Sequence, residues 1–438
     1  MNRPISQSPS KLIGEPVSTK AQVGYRAIQW RMLLIVMFCY LFYYTGRQTL
    51  GFAIPGIQAE FNVSKQLIGW VSAGMLWGYA IGQAINGNLG DKYGGRRIVT
   101  AGAISSSLMN WVVSFSVGYK SLLVSWWLNG YLQALGFAPG SRIISNWWTK
   151  AERGKVYGLY LFAAGMSSVV TYVLGLLVVD TFHLEWRWVF RLPVVLLMVA
   201  GIVFYFVVRD NPEDMGFKRE VDADAEKECA ADASDAEPES SRERYKAILS
   251  NLKIHIGGVA LGFNNAARYG LVVWVPVHFL EATAKLGEVT GLNARWITVA
   301  LPVGMAFGAL SNGWISDRFF GSVRWKPIAL YMLLAVGATA VMYTLPISSI
   351  WAIVVLFLCG FFVYGPHATF WALVPDLVGR QRAGTATGVM STYSYLFAGL
   401  AEPAIGHLLD IGHNTALVFI VVGTCCALSG TCAVLIKR

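Results

Sequence analysis

The chain has 438 residues, of which 55% are hydrophobic and 14% charged, with a mean hydropathy of +0.50 and a formal net charge of +10. A soluble fold could not keep that much apolar surface from water, and 16 Trp, 19 Tyr and 23 Phe exclude disorder or a collagen-like repeat. The composition is that of a membrane-embedded protein, and its basic excess is to be read for orientation.

A helix needs about 20 apolar residues to cross a hydrocarbon layer of roughly 30 Å. Twelve such stretches are predicted, at 31–55, 66–88, 98–118, 121–147, 155–180, 188–208, 252–280, 291–315, 326–346, 350–374, 383–408 and 415–436. The expected fold is an all-α membrane protein: twelve transmembrane helices in two pseudo-symmetric six-helix bundles. The parts are a tail (1–30), a first bundle (31–208), a linker (209–250) and a second bundle (251–436). The linker holds 13 of the 25 acidic residues and no aromatic cluster until Tyr245, so it reads as solvated. The tails, the linker and alternate loops carry 26 of the 35 Lys and Arg. The opposite loops and helix ends carry Lys65, Lys120, Arg187, Arg191, Lys285 and Arg295. That bias predicts cytoplasmic termini. Residues 1–30 lack the pattern of a cleaved signal peptide, so the first span is expected to act as its own signal. Basic residues scattered between spans do not suggest nucleic-acid binding. The six cysteines form no CxxC pair and have no His-rich neighbour, so no metal and no cofactor are expected.

The halves echo one another. Arg47 precedes Pro55 by eight residues, as Arg268 precedes Pro276. GNLGDKYGGRR (Gly87 to Arg97) after the second span matches GWISDRFFGSVR (Gly313 to Arg324) after the eighth, and Pro139 matches Pro366. In these loops Asp91, Arg97, Asp317 and Arg318 are candidates for gating or helix-end packing.

The GDKYGGRR loop resembles the cytoplasmic signature of the major facilitator superfamily. FYYTGRQTLGFAIP (Phe42 to Pro55), ALGFAPGSRIISNWWTKAERG (Ala134 to Gly154) and ARYGLVVWVP (Ala267 to Pro276) look like the organophosphate:phosphate antiporter family, which includes glycerol-3-phosphate and hexose phosphate transporters. The likeness covers essentially the whole chain. It implies that Arg47 and Arg268 meet on the pseudo-twofold axis and hold phosphate, and that the protein acts as a monomer. Gln83 stands where glycerol-phosphate members have a Lys, and Ala164 where they have a His, so substrate identity does not come with the resemblance.

Charge leads to the same pair independently. The ionisable residues placed inside the spans are Arg47, Arg142 and Arg268, against Glu402 and His367. A mid-membrane arginine costs about 2.5–3.5 kcal/mol on insertion scales. Arg142 lies within two turns of a helix end and can snorkel. Arg47 and Arg268 lie deeper, and one carboxylate can neutralise at most one of them, so a small anionic substrate is expected between them. Guanidinium forks fit phosphate oxygens bidentately. Candidate lining residues are Tyr40, Tyr43 and Tyr44 near Arg47, and Asn264, Asn265 and Tyr269 near Arg268. Tyr79, Gln83, Trp274, Tyr364 and His367 are weaker candidates; each tyrosine could equally be core packing. Glu402 is a coupling candidate, a partner for Arg268, a contact for a substrate ammonium group, or an inter-helix hydrogen-bonding group.

The expected function is exchange of an organic phosphate for inorganic phosphate by alternating access in a bacterial inner membrane. The alternatives are a proton-coupled symporter of a carboxylate, sulfonate or phosphonate, and a transporter-like sugar-phosphate sensor. Besides membrane lipid, the expected partners are organic and inorganic phosphate. No nucleophile, metal cluster or P-loop is present in the sequence, so an enzyme is not expected.

Overall fold

The computed structural model describes residues 19–148, 150–217, 241–286, 294–321, 323–347, 349–378 and 380–436. Among these residues the chain is entirely helical and falls into twelve successive rods, spans 1 to 12. Span 1 is Thr19–Tyr43, continued beyond a 3-10 turn at Tyr44–Gly46 by Leu50–Phe61. Spans 2 and 3 are Lys65–Tyr93 and Gly95–Ser114. Span 4 is Tyr119–Gln133 continued by Phe137–Trp147, and spans 5 and 6 are Lys150–Leu176 and Trp188–Val207. A short helix, Ser241–Leu249, leads into span 7, Leu252–Leu286. Spans 8 and 9 are Ala300–Phe320 and Trp325–Thr344. Span 10 is Trp351–Tyr364 continued by His367–Val378, and spans 11 and 12 are Arg380–Gly412 and Leu417–Leu435.

Seven of the rods, spans 1, 5, 6, 8, 9, 10 and 12, are apolar and long enough to cross a membrane by length and composition. The others carry polar side chains that the fold turns inward: Asn110, Asn129, Gln133, Asn264, Asn265, Ser394 and Glu402 are all buried. Large apolar residues such as Leu108, Phe206, Leu333 and Trp351 cover the outside instead. In lipid, this inversion is what a bundle requires, because a polar group facing hydrocarbon has no partner.

Spans 4 and 10, drawn unbroken from the sequence, both break beside the matched prolines: at 134–136, just ahead of Pro139, and at 365–366, which includes Pro366. The seam between the halves follows the same symmetry: span 2 packs on span 11, span 8 on span 5, and span 1 on span 7. The closest seam contacts lie at the end away from the termini. There the Lys65 and Gln66 backbone N–H groups donate to the Asp410 carboxylate at 3.0 and 2.9 Å, and Lys65 pairs with Glu281 at 3.0 Å. Trp296 Nε1 donates to Asp180 at 3.0 Å, and the Tyr172 hydroxyl donates to the Val272 carbonyl at 2.8 Å. At the termini end, the helices Phe137–Trp147 and His367–Val378 have their principal partners within their own halves. The described structure is thus closed at the far end.

The ends of the expected linker are built into the fold. The Trp147 indole donates to the Arg209 carbonyl at 2.8 Å, Asn146 bonds the Asp210 carbonyl and Asn211, and Phe217 packs on Tyr25. Residues 218–240, with most of the acidic run, lie outside the described residues.

Candidate substrate site

Arg47 owes its position to the interruption in span 1. After the turn at Tyr44–Gly46 the Arg47 backbone leaves helical geometry, at φ −140° and ψ −18°, and the Gly46 carbonyl loses its helical partner. Two amides replace it: Asn129 Nδ2 donates to this carbonyl at 2.6 Å and Asn110 Nδ2 at 3.1 Å. Ser106 and Gln133 complete the network, Ser106 Oγ donating to Asn129 at 2.8 Å and Gln133 Nε2 to Ser106 Oγ at 2.6 Å. A Cβ at position 46 would displace the Gln133 amide and press on Ser106 and Asn110, so glycine there leaves room for the network. Arg268 sits on an unbroken helix, span 7, which Pro276 does not interrupt.

The two guanidiniums converge on one cluster of aromatic rings. Arg47 lies 3.8 Å from the Tyr44 ring centroid and 5.1 Å from that of Tyr79. Arg268 lies 4.5 Å from the Tyr364 centroid and 5.0 Å from that of Tyr269. Tyr44 joins the halves: Arg47 stacks on its ring while Arg268 engages its hydroxyl, and the two arginines feel one another's charge. Cation–π contacts of this kind hold a guanidinium in place without neutralising it. Among the described residues no carboxylate pairs with either arginine, and Nε of each is buried without a hydrogen-bond partner. Glu402 is engaged elsewhere: Trp274 Nε1 donates to its Oε2 at 3.0 Å and Ser72 bonds it as well. Its expected role as the partner of Arg268 is therefore not realised. The result is two like charges, one from each half, ringed by neutral hydroxyls.

The sequence matches the Major Facilitator Superfamily over residues 36–402. The chain belongs to that superfamily. It is 25% identical over 410 residues to a probable hexose phosphate transport protein of Chlamydia trachomatis, covering 90% of this chain and 88% of that one. It is 26% identical over 403 residues to a glycerol-3-phosphate transporter of Bacillus subtilis, with coverage of 90% and 88%. The membrane sensor protein UhpC of Escherichia coli is 25% identical over 421 residues, 94% and 93% of the two chains. These relatives agree with the organophosphate:phosphate antiporter resemblance. In fold the chain superposes, with a TM-score of 0.70 at 15% identity, on a bacterial homologue of the lysosomal transporter Spinster in an inward-facing, unoccupied conformation, covering 93% and 94% of the chains. A D-xylose–proton symporter gives 0.69 at 16% identity, with coverage of 93% and 97%. Membership of the superfamily makes the chain an integral membrane transport protein and not an enzyme.

Around this superfamily site the structure sorts the other candidates. Tyr40 packs on Tyr43, Tyr44, Phe137 and Tyr160 and lies within electrostatic reach of Arg47. Tyr43 is turned away, its hydroxyl donating to the Val99 carbonyl at 2.7 Å, and holds span 1 to span 3. Gln83 donates to the Tyr79 hydroxyl at 2.9 Å and so orients a ring beneath Arg47. His367 stacks on Tyr364 at 5.2 Å, with Nδ1 buried and unbonded, in electrostatic reach of Arg268. Asn264 and Asn265 bond other helices: Asn264 donates to the Val363 carbonyl at 2.7 Å and Asn265 to Ser394 Oγ. Their donors are consumed between spans because a carbonyl is left over where span 10 breaks and a hydroxyl faces them from span 11.

Tyr395 was not among the candidates, yet its ring lies tilted against that of Tyr79 at 5.3 Å and within reach of both arginines. Its only signal was its place in span 11, one residue past the buried Ser394 and three before the buried Ala398. In the repeated loops the engaged arginines are Arg96 and Arg324, while Arg97 and Arg318 are exposed. Arg96 Nε donates to the Tyr205 carbonyl at 2.7 Å, and Arg324 bonds Ser316 at 3.0 Å and lies 3.7 Å from Asp376. The side chains of Asp91 and Asp317 lie outside the described residues.

Proposed function

We propose that this chain is a secondary transporter that exchanges a small organic phosphate for inorganic phosphate by alternating access, with both termini in the cytoplasm of a bacterial inner membrane. The observation that carries this reading is the pair of guanidiniums, one from each half, Arg268 buried and Arg47 half-buried, converging on the seam with no carboxylate partner among the described residues. A phosphate dianion between them would balance both charges and offer each fork two oxygens. Because the arginines come from opposite halves, the anion draws the halves together, and without it two like charges resist closure. Inorganic phosphate and a phosphate ester both relieve that repulsion, so either one licenses the conformational change and exchange follows. The names of the hexose phosphate and glycerol-3-phosphate relatives support the substrate class. The Lys and Arg bias of the loops supports the orientation, in which the closed end of the described structure faces away from the cytoplasm.

The test is exchange of labelled inorganic phosphate by the purified protein in proteoliposomes, with a panel of sugar and glycerol phosphates as competitors. Saturable exchange blocked by phosphate esters is the expected result. Uptake of carboxylates or sulfonates alone would overturn the substrate class. Binding of phosphate esters without exchange would place the chain with sensors rather than carriers.

A further inference from the structure

The closed seam contains a carboxyl group for which anion binding has no use. Glu402 is 0% exposed, at the point where span 11 meets spans 2 and 7. Its Oε2 accepts from Trp274 Nε1 at 3.0 Å, Ser72 bonds the same carboxyl, and Oε1 is buried with no partner. Trp274 and Glu402 belong to the second half, whereas Ser72 belongs to the first. Gly69, one turn from Ser72, lies directly against the Glu402 carbonyl and Pro403. Water is thus kept from the carboxyl by the contact that must part when the far face opens.

Among the described residues, the charged groups nearest this carboxyl are committed elsewhere. On span 2, Lys65 pairs with Glu281 of span 7. On span 7, Arg268 faces its tyrosines, and His278 Nδ1 bonds Thr415 Oγ1 at 2.8 Å. On span 11, Asp410 takes the two backbone N–H groups of span 2 and His407 is exposed. On span 1, Arg47 stacks on Tyr44. None of them reaches Glu402, whose interactions are with Trp274 and Ser72. A carboxylate sealed from water with no cation and half its acceptor capacity unmet is strongly disfavoured, whereas the neutral acid is tolerated.

We propose that Glu402 is a proton-binding site in the far-face gate: closure of span 2 on span 11 takes up one proton from the far compartment, and opening returns it there. The proposal rests on the alternating-access reading above. The proton does not cross the membrane with the substrate, since the carboxyl is sealed whenever the far face is shut. Ser72 ties this site to the anion site. It also lines a cavity of about 10 Å³, room for about one water, together with Arg47 and Tyr269. Ser72 therefore touches both the gate carboxyl and the cavity beside Arg47, and acid on the far side favours the conformation open toward the termini.

The test is the distance between spin labels at Leu67 and Ile411, on the far ends of spans 2 and 11, in substrate-free protein with its native cysteines replaced. The open-to-closed ratio should rise with pH by up to about tenfold per unit, the limit for one linked proton. Glu402→Gln should stay closed with less than about a twofold change between roughly pH 5 and pH 9, the range over which a perturbed carboxyl titrates. Glu402→Asp and His278→Gln should keep the response, the first because it retains the carboxyl and the second because it removes a different buried titratable group of span 7. A flat wild-type profile, a normal slope in Glu402→Gln, or loss of the slope in His278→Gln would each overturn the proposal. Labelled phosphate exchange measured on the same samples separates the two readings: a wild type that opens with pH but exchanges no phosphate supports the gate proton and defeats the exchange reading.

Discussion

Span 1 breaks at Tyr44–Gly46, immediately before its arginine, whereas span 7 runs unbroken from Leu252 to Leu286 through the equivalent one. The two halves therefore hold equivalent charges by opposite means. In the first half the helix gives up its own hydrogen bonds, and amides from spans 3 and 4, Asn110 and Asn129, cap the stranded Gly46 carbonyl. In the second half the arginine-bearing helix is the donor: Asn264 reaches out to cap the Val363 carbonyl stranded by the break in span 10. Both devices answer the same requirement, that a backbone group freed inside a membrane bundle must find a partner. They differ in what they support. Asn129 fixes the backbone that carries Arg47, while Asn264 fixes the helix behind Tyr364.

Four substitutions would break or sharpen that contrast. The largest effect belongs to the arginines. Arg47→Lys and Arg268→Lys should each reduce phosphate exchange by about 30-fold or more, the scale of about 2–5 kcal/mol for disrupting a buried charged contact. Membrane insertion should be unchanged because the charge is kept. Normal exchange in either variant would show that the halves do not contribute equally. Next, Asn129→Ala should weaken phosphate affinity severalfold, since the Gly46 carbonyl loses the shorter of its two hydrogen bonds, worth about 0.5–1.5 kcal/mol, and its relaxation moves Arg47. Asn264→Ala should lower thermal stability by a similar free energy with affinity nearly intact; equal losses of affinity would end the distinction drawn here.

A smaller effect is expected at the seam. A Cβ on Gly69 would meet the backbone of Glu402 and Pro403, so Gly69→Ala should shift the conformational balance toward the open far face by about 1–2 kcal/mol. The readout is labelling of a far-face cysteine. Smallest of all, Gln83→Ala should raise the half-saturating phosphate concentration two- to fivefold, because it frees the Tyr79 ring at a cost of about 0.5–1 kcal/mol. No change would mean that Tyr79 is held by Tyr395 alone.

The arginine pair could be read in the chain because intramembrane charge is rare and expensive, and that cost depends on residue type and depth rather than on neighbours. The repeat was legible for a similar reason: Pro139 and Pro366 mark equivalent breaks in spans 4 and 10. The tyrosines were not separable. Tyr40, Tyr43 and Tyr44 share a helical face at ordinary spacing, and only the turn at Tyr44–Gly46 sends Tyr43 to the Val99 carbonyl while leaving Tyr44 under Arg47. Asn264 stands four residues before Arg268, which places both on one face of an ideal helix, yet the neighbouring break claims its amide. His278 is buried against Thr415 and Phe419, contacts from another span that its own sequence neighbours do not signal.

Sequence alone was enough to establish a membrane protein of two related halves with one deep, unneutralised arginine in each, since apolar length, repeat spacing and the cost of a buried charge are properties of the chain taken in order. Tertiary structure decided which hydroxyls surround those arginines, which amides serve the backbone instead, and that Glu402 lies in the seam rather than beside Arg268. Such choices depend on where helices break and which carbonyls are thereby left to be satisfied by a neighbouring span. That is set by packing between rods far apart in sequence, and no periodicity records it.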